Sequence, residues 1–280
     1  MGQNAWMLWH RVFDLLGEES RGDNPLYTAQ AVARAATFAQ EAVSGLMMRS
    51  EMGLFETVAT LVLPAGGLSV ALPSDCRSVL RVRADGVEVD WMESRAARRA
   101  VNRGVHLVGN ALVVDQAATA EETWEVEYVS RPYPARAGRL LSVQPSNVRE
   151  MWVDAVDSGG LVGGFTGWSG MDVVVIGEGD PEASAGATVS YGEAGSGSGA
   201  SGWLLATATA TGRAGAEEYL AVDGRWPVEW LDVLAIGTAM NLPEAPRELL
   251  GGLYGTAAQA AMELAARRVA PMGRRVVFVR

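Results

Sequence analysis

Two histidines, His10 and His106, and one cysteine, Cys76, are all that the 280 residues offer for imidazole or thiolate chemistry, and there is no lysine. Without lysine there is no phosphate-loop lysine, no Schiff base and no kinase-type lysine. A zinc site built from one cysteine and two histidines would need carboxylates too, and no His-Glu-x-x-His spacing occurs. No Gly-x-Ser-x-Gly nucleophile elbow is present. His10 sits beside an apolar helical stripe and His106 in a strand pattern, so both read as structural. Gly197 to Gly202 spells the Gly-x-Gly-x-x-Gly dinucleotide string. It lies in a Gly/Ser run ahead of a strand pattern, whereas phosphate binding needs that string between a strand and a helix.

The acidic pairs Glu18-Glu19 and Glu121-Glu122 lie in polar stretches. Adjacent side chains do not converge on one substrate atom, so they read as solvated loop charge. Arg21-Gly22-Asp23 reads as a chance tripeptide. Trp124 with Glu125 and Glu127 comes nearest to a carbohydrate-binding or hydrolytic cluster, but strand alternation puts the tryptophan on one face and the glutamates on the other. No catalytic residue, cofactor site or metal site is therefore expected.

Composition narrows the partners. The 23 basic residues are all arginine and the net charge is −10. A duplex-DNA binder carries a basic face that neutralises phosphates, so an acidic chain argues against wrapping DNA. It suits a pore wall that DNA slides past without sticking. One cysteine allows no internal disulfide, which fits folding in a reducing cytoplasm. The first residues lack a secretory or myristoylation pattern, and no apolar run reaches the length of a membrane span.

The elements that must position these residues come in three blocks. Residues 5–16 predict a short amphipathic helix with Trp6, Trp9, Phe13 and Leu16 on its stripe. Asn24-Pro25 reads as an N-cap and N1 pair opening a helix from Leu26 to about Ser50, with Ala31, Ala35, Phe38, Ala42 and Leu46 on one face. Short apolar runs follow at 54–63, 68–72 and 79–84. Asp85-Gly86 predicts a two-residue hairpin into Val87–Asp90, and Gly109-Asn110 a second between 105–108 and 111–115. Residues 93–102 read as one or two helical turns. Thr123–Ser130 alternates as a half-exposed strand. Residues 131–170 carry no clear period. Further strands are expected at 171–176, 187–191, 203–211 and 218–222, with 192–202 as a Gly/Ser loop. Helical period returns at Val228–Met240 and from Ala245 to Val269, the latter with Leu250, Tyr254, Ala257, Ala261 and Leu264 in line. The tail Arg274–Arg280 is basic and apolar with strand propensity.

The expected fold is α+β, with the terminal helices forming a bundle and a β-rich region inserted between them. The divisions are 1–53, N-terminal helices; 54–225, β-rich centre, within which 131–225 is an extra insertion; and 226–280, C-terminal helices and tail.

This layout resembles the tail tubular protein A and head-to-tail adaptor proteins of short-tailed bacteriophages. Three regions carry the likeness: Ala33–Val43 running into Phe55–Pro64; Leu72–Val82 followed by Val101–Asn110; and Trp226–Ala235 leading into the helix Leu249–Val269. They cover about half the chain, and 131–225 departs from the family, whose members are shorter there. The resemblance implies a structural virion protein: a dodecameric ring without a catalytic site or cofactor, assembled in the host cytoplasm and seated between the portal and the tail. Its partners would be copies of itself, the portal protein, a tail nozzle or tail fibre protein, and genomic DNA passing without specific binding, with no membrane. Carried onto this chain, the portal contact falls on Arg267, Arg268, Arg274, Arg275, Val276, Val277, Phe278, Val279 and Arg280. The tail could add as a strand to a neighbouring sheet, with its arginines pairing to acidic residues. The competing readings are a monomeric β-rich carbohydrate-binding or hydrolase module, and a different virion ring such as a tail nozzle or head-completion protein.

Overall fold

The computed structural model describes residues 4–17, 27–49, 53–91, 104–144, 147–154, 170–176, 187–194, 201–206 and 218–269. The fold is mixed α+β, with four helices and fourteen strands among these residues. Its contacts divide it into two compact units, 53–132 and the two segments 1–52 and 133–280 together. The strands after residue 132 thus cluster with the helices and not with the earlier strands.

In the larger unit the helices are α1 (Asn4–Leu16), α2 (Ala29–Arg49), α3 (Val228–Met240) and α4 (Arg247–Val269). The sequence of α3, VEWLDVLAIGTAM, is apolar all round, the mark of a helix enclosed on every side. From Trp230 to Ala239 every residue but Asp232 is buried, and α1, α2 and α4 all pack on it. Asp232 points outward to Arg11 of α1 at 3.0 Å. The approach of α2 to α3 is close because small residues meet there: a Cβ added at Gly237 would lie 3.2 Å from the Cβ of Ala39. Asn241 closes α3 by donating its amide to the Gly237 carbonyl at 2.8 Å.

The strands of this unit are β9 (Arg136–Gln144), β10 (Asn147–Asp154), β11 (Met171–Ile176), β12 (Ala187–Ala194), β13 (Ser201–Ala206) and β14 (Glu218–Asp223). They close into a six-stranded antiparallel barrel in the order β10-β13-β12-β11-β14-β9. All six residues of β11 are buried, as are Tyr219–Asp223 of β14. Such continuous apolar runs need cover on both faces. The barrel interior covers one, and α1 and α2 pack against these strands on the other. Residues 131–170, without a period in sequence, contain β9 and β10. The expected 192–202 loop is shorter, since β12 runs to Ala194 and β13 starts at Ser201.

The smaller unit holds two four-stranded sheets. The first has the order β1 (Glu56–Leu63), β8 (Glu122–Ser130), β3 (Cys76–Ala84), β4 (Val87–Glu88). The second has β2 (Ser69–Ala71), β7 (Ala111–Val114), β6 (Gly104–Val108), β5 (Asp90–Trp91). One core joins them, with Leu63, Val82, Trp124 and Val126 from the first and Val105, Leu112 and Val114 from the second. Both predicted hairpins form. Asp85 and Gly86 have φ of 48° and 82°, the paired positive values of a type I′ turn, and at the second hairpin Gly109 has φ of 59°. The expected strand 87–90 is split: Val89 sinks into the core and donates its N–H to Val82, after which Asp90 crosses to pair in parallel with Gly104.

Two expected stripes are rotated. On α1 the buried face is Ala5, Leu8, Trp9, Val12 and Phe13, with Trp6 and Leu16 half-exposed at its margin. On α2 it is Val32, Ala35, Ala36, Ala39, Val43 and Met47, leaving Ala42 exposed and Phe38 68% exposed. Both helices are held between α3 and the barrel, so two neighbours set the inward direction and the heaviest apolar residues do not decide it alone. The predicted start of α2 at Asn24-Pro25, the helical turns at 93–102, and Arg21-Gly22-Asp23 lie outside the described residues.

Candidate functional surfaces and the polar node

The most developed polar cluster sits where the chain passes from β14 to α3. Asp223, fully buried, accepts hydrogen bonds from the backbone N–H of Tyr133 (2.9 Å) and of Arg225 (3.1 Å). The Arg225 guanidinium adds two more contacts, Nε at 3.0 Å and Nη2 at 2.7 Å, and lies 4.6 Å over the Tyr133 ring. Beside it, the Asn4 side-chain amide donates to the carbonyls of Gly224 (3.1 Å) and Trp226 (3.0 Å), and the Asn4 N–H donates to Asp172 (3.3 Å). Asp172 is a carboxylate at the first turn of α1, where it satisfies an orphan N–H and suits the helix dipole. Only glycine fits at 224, because a Cβ there would lie 2.6 Å from the Gly170 carbonyl oxygen. These hydrogen bonds run from α1 and the start of α3 to the ends of β11 and β14, and so fasten the two helices to the barrel. Nothing in the sequence marks Asn4 and Asp172 as neighbours, since 168 positions separate them.

A cleft of about 360 Å³ lies at the start of α2, lined by Thr28, Ala29, Gln30, Ala137, Gly138, Arg139 and Glu218. Its polar groups serve the helix: Glu218 accepts from the Ala29 N–H at 3.1 Å and Thr28 from the Ala31 N–H at 3.2 Å. This is an N-cap completed by a carboxylate from a distant strand.

The residues weighed for chemistry are scattered. His10 packs at a tilt against Trp6, with 4.3 Å between ring centroids, and His106 is half-buried in β6. Cys76 is half-buried in β3; burial and the neighbouring Asp75 push its thiol up, opposed by Arg131, which disfavours a reactive thiolate. Trp124 is buried and donates to Glu122 at 3.0 Å, while Glu125 and Glu127 face outward toward Arg83 and Arg81, each at 3.8 Å. The alternation read from sequence therefore separates the tryptophan from those carboxylates. Among the described residues no three His, Cys, Asp or Glu come together to hold a metal, and no helix is long and apolar enough to cross a membrane.

Arg267 and Arg268 fall in the last turn of α4, their side chains outside the described residues; Arg274, Arg275, Val276, Val277, Phe278, Val279 and Arg280 lie outside them altogether.

The described surface also displays large apolar side chains. Thirteen large hydrophobic side chains are exposed, spread over both units. In the smaller unit Val58 and Val62 stand on the outer face of β1, and Leu107 and Val108 close the second hairpin. In the larger unit they are Phe38, Val228, Leu249, Leu253 and Leu264. Sequence reasoning missed this set because a single apolar residue carries no sign of which side of its element will be covered.

The chain matches no protein-family model and no curated protein sequence.

Proposed function

We propose that this chain is the repeating subunit of a head-to-tail adaptor ring of a short-tailed bacteriophage, joining the portal to the tail and lining the channel through which DNA passes. The observation that carries the reading is the set of exposed apolar side chains on both units. Scattered apolar residues are ordinary on a monomer. Here five of the thirteen lie on helices, and on α4 Leu249, Leu253 and Leu264 stand exposed on a helix that already buries Leu250, Ala258, Ala261 and Ala265, as a subunit enclosed by copies of itself would require. The resemblance in layout supports it too: its regions fall on α2 with β1, on β3 and β6, and on α3 with α4. In this reading the helices around α3 are the bundle formed by the two ends of the chain, and the strands are its β-rich insertion. The net charge of −10 suits a channel that does not hold DNA.

The portal contact is assigned to Arg267 and Arg268 and to the tail Arg274, Arg275, Val276, Val277, Phe278, Val279 and Arg280. The ring is a structural, non-catalytic virion component without a cofactor. Negative-stain imaging of the full chain mixed with its portal tests it. Dodecameric rings on the portal are the expected result; a discrete monomer with hydrolytic activity, or no association with the portal, overturns it.

A further inference from the structure

We infer that β1 is a docking edge for the β1 of a second copy of this chain, the two strands running antiparallel and centred on Thr60. The inference does not rest on the ring reading. A contact about a two-fold axis ends at two copies, so it is not the neighbour contact of a cyclic ring and describes the chain outside one.

Strand β1 is the outermost strand of its sheet, and among the described residues only β8 pairs with it. Its other side carries backbone N–H and C=O groups that no described strand meets. Such an edge is a template for pairing, and proteins blunt it with charge, proline, a bulge or brevity. From Thr57 to Leu63 β1 uses none of these. The run is uncharged and rich in β-branched residues, and its register with β8 is unbroken from Glu56 to Leu63. The other edges of this unit's sheets, β2, β4 and β5, are only two or three residues long. The core also stops short at β1. Trp124 and Val126 of β8 are buried, while Leu61 and Ala59, directly opposite them on β1, stay half-exposed. On the outer face Val58 and Val62 are 62% and 54% exposed. The missing cover is lateral, and an added strand supplies it.

The residues of β1 select the occupant. The uncharged run is bounded by Glu56 and Pro64, and its midpoint is Thr60. Paired antiparallel with itself in full, it sets Thr60 against Thr60, Val58 against Val62, Ala59 against Leu61 and Thr57 against Leu63 of the copy. Each face then meets its own kind: the exposed valines cover one another, and small Ala59 lies beside large Leu61 where the core continues. A slip of one residue would set the inner row against the outer. A slip of two would set Glu56 against Val62 in one direction, or Pro64, which lacks an N–H, against Val58 in the other. In the favoured register both Glu56 carboxylates lie beyond the paired run, at opposite ends. The strand is thus complementary to itself, and the two four-stranded sheets become one continuous sheet.

Sedimentation velocity on the full chain over about 1–100 µM tests this, with wild type, Thr60→Lys, Thr60→Glu and an equal mixture of the two variants. Thr60 is exposed and opposite Glu125 of β8, so a lysine there gains a cross-strand charge partner and the sheet is kept; circular dichroism melts check this. Across the two-fold axis, two lysines or two glutamates face each other directly. Wild type is expected to pass from monomer to dimer. Each variant alone should associate about tenfold or more weakly, and the mixture, which sets lysine against glutamate, should recover most of the loss. Variants that associate as wild type does overturn the inference. So does a mixture that recovers nothing, or a wild type that stays monomeric at about 100 µM. Each of these leaves the ring reading, which is tested on the portal, standing.

Discussion

Asp223 shows how one residue can fasten several elements. Its carboxylate is fully buried and is met by two backbone N–H groups and a guanidinium, with Arg225 about one-third exposed. Burying a carboxylate is tolerable only when its lone pairs are filled, and removing it strands the donors. Asp223→Ala is expected to lower stability by about 2–4 kcal/mol, the solvent-facing side of Arg225 softening the loss. Urea unfolding followed by tryptophan fluorescence measures it; a midpoint within error of wild type would show that the node fastens nothing. Asp223→Asn, which keeps the shape and one acceptor, should cost less.

The helices around α3 place opposite demands on their glycines. At Gly237 an added Cβ would meet the Ala39 Cβ at 3.2 Å and the Tyr254 ring at 3.4 Å. Ala39 cannot rotate away, so a large side chain must push α2 off α3. Gly237→Leu is expected to destabilise by about 3 kcal/mol, overpacking outweighing the better helix propensity of leucine. Gly251 on α4 has open space around its Cβ position, and there propensity acts alone. Gly251→Ala should stabilise by about 0.5–1 kcal/mol. Thermal melts of the two variants, moving in opposite directions, check both.

At the scale of the whole molecule, the division into 53–132 and the remainder predicts that damage stays local. Trp124 is among the largest fully buried side chains and sits in the core shared by the two sheets of the smaller unit. Trp124→Ala is expected to cost that unit about 3–5 kcal/mol. Hydrogen exchange should then show amides of β1, β3 and β8 losing protection while those of α3 keep theirs. Equal loss in both units would mean that they unfold as one.

Much of the element order was legible in the residues because local physics decides it. The type I′ hairpin at Asp85-Gly86 follows from backbone sterics, and the alternation around Trp124 from the period of a strand. The bounds of α3 follow from a helical run flanked by Trp226-Pro227 and Asn241-Leu242-Pro243. Which face of each helix is inward was not legible: α2 lies between α3 and the barrel, and those two neighbours left Phe38 outside. The closed barrel, the pairing of Asp172 with Asn4, and the capping of α2 by Glu218 join residues far apart in the chain. Only the tertiary structure decided them, since burial is a property of what surrounds a side chain and no local window contains that neighbour.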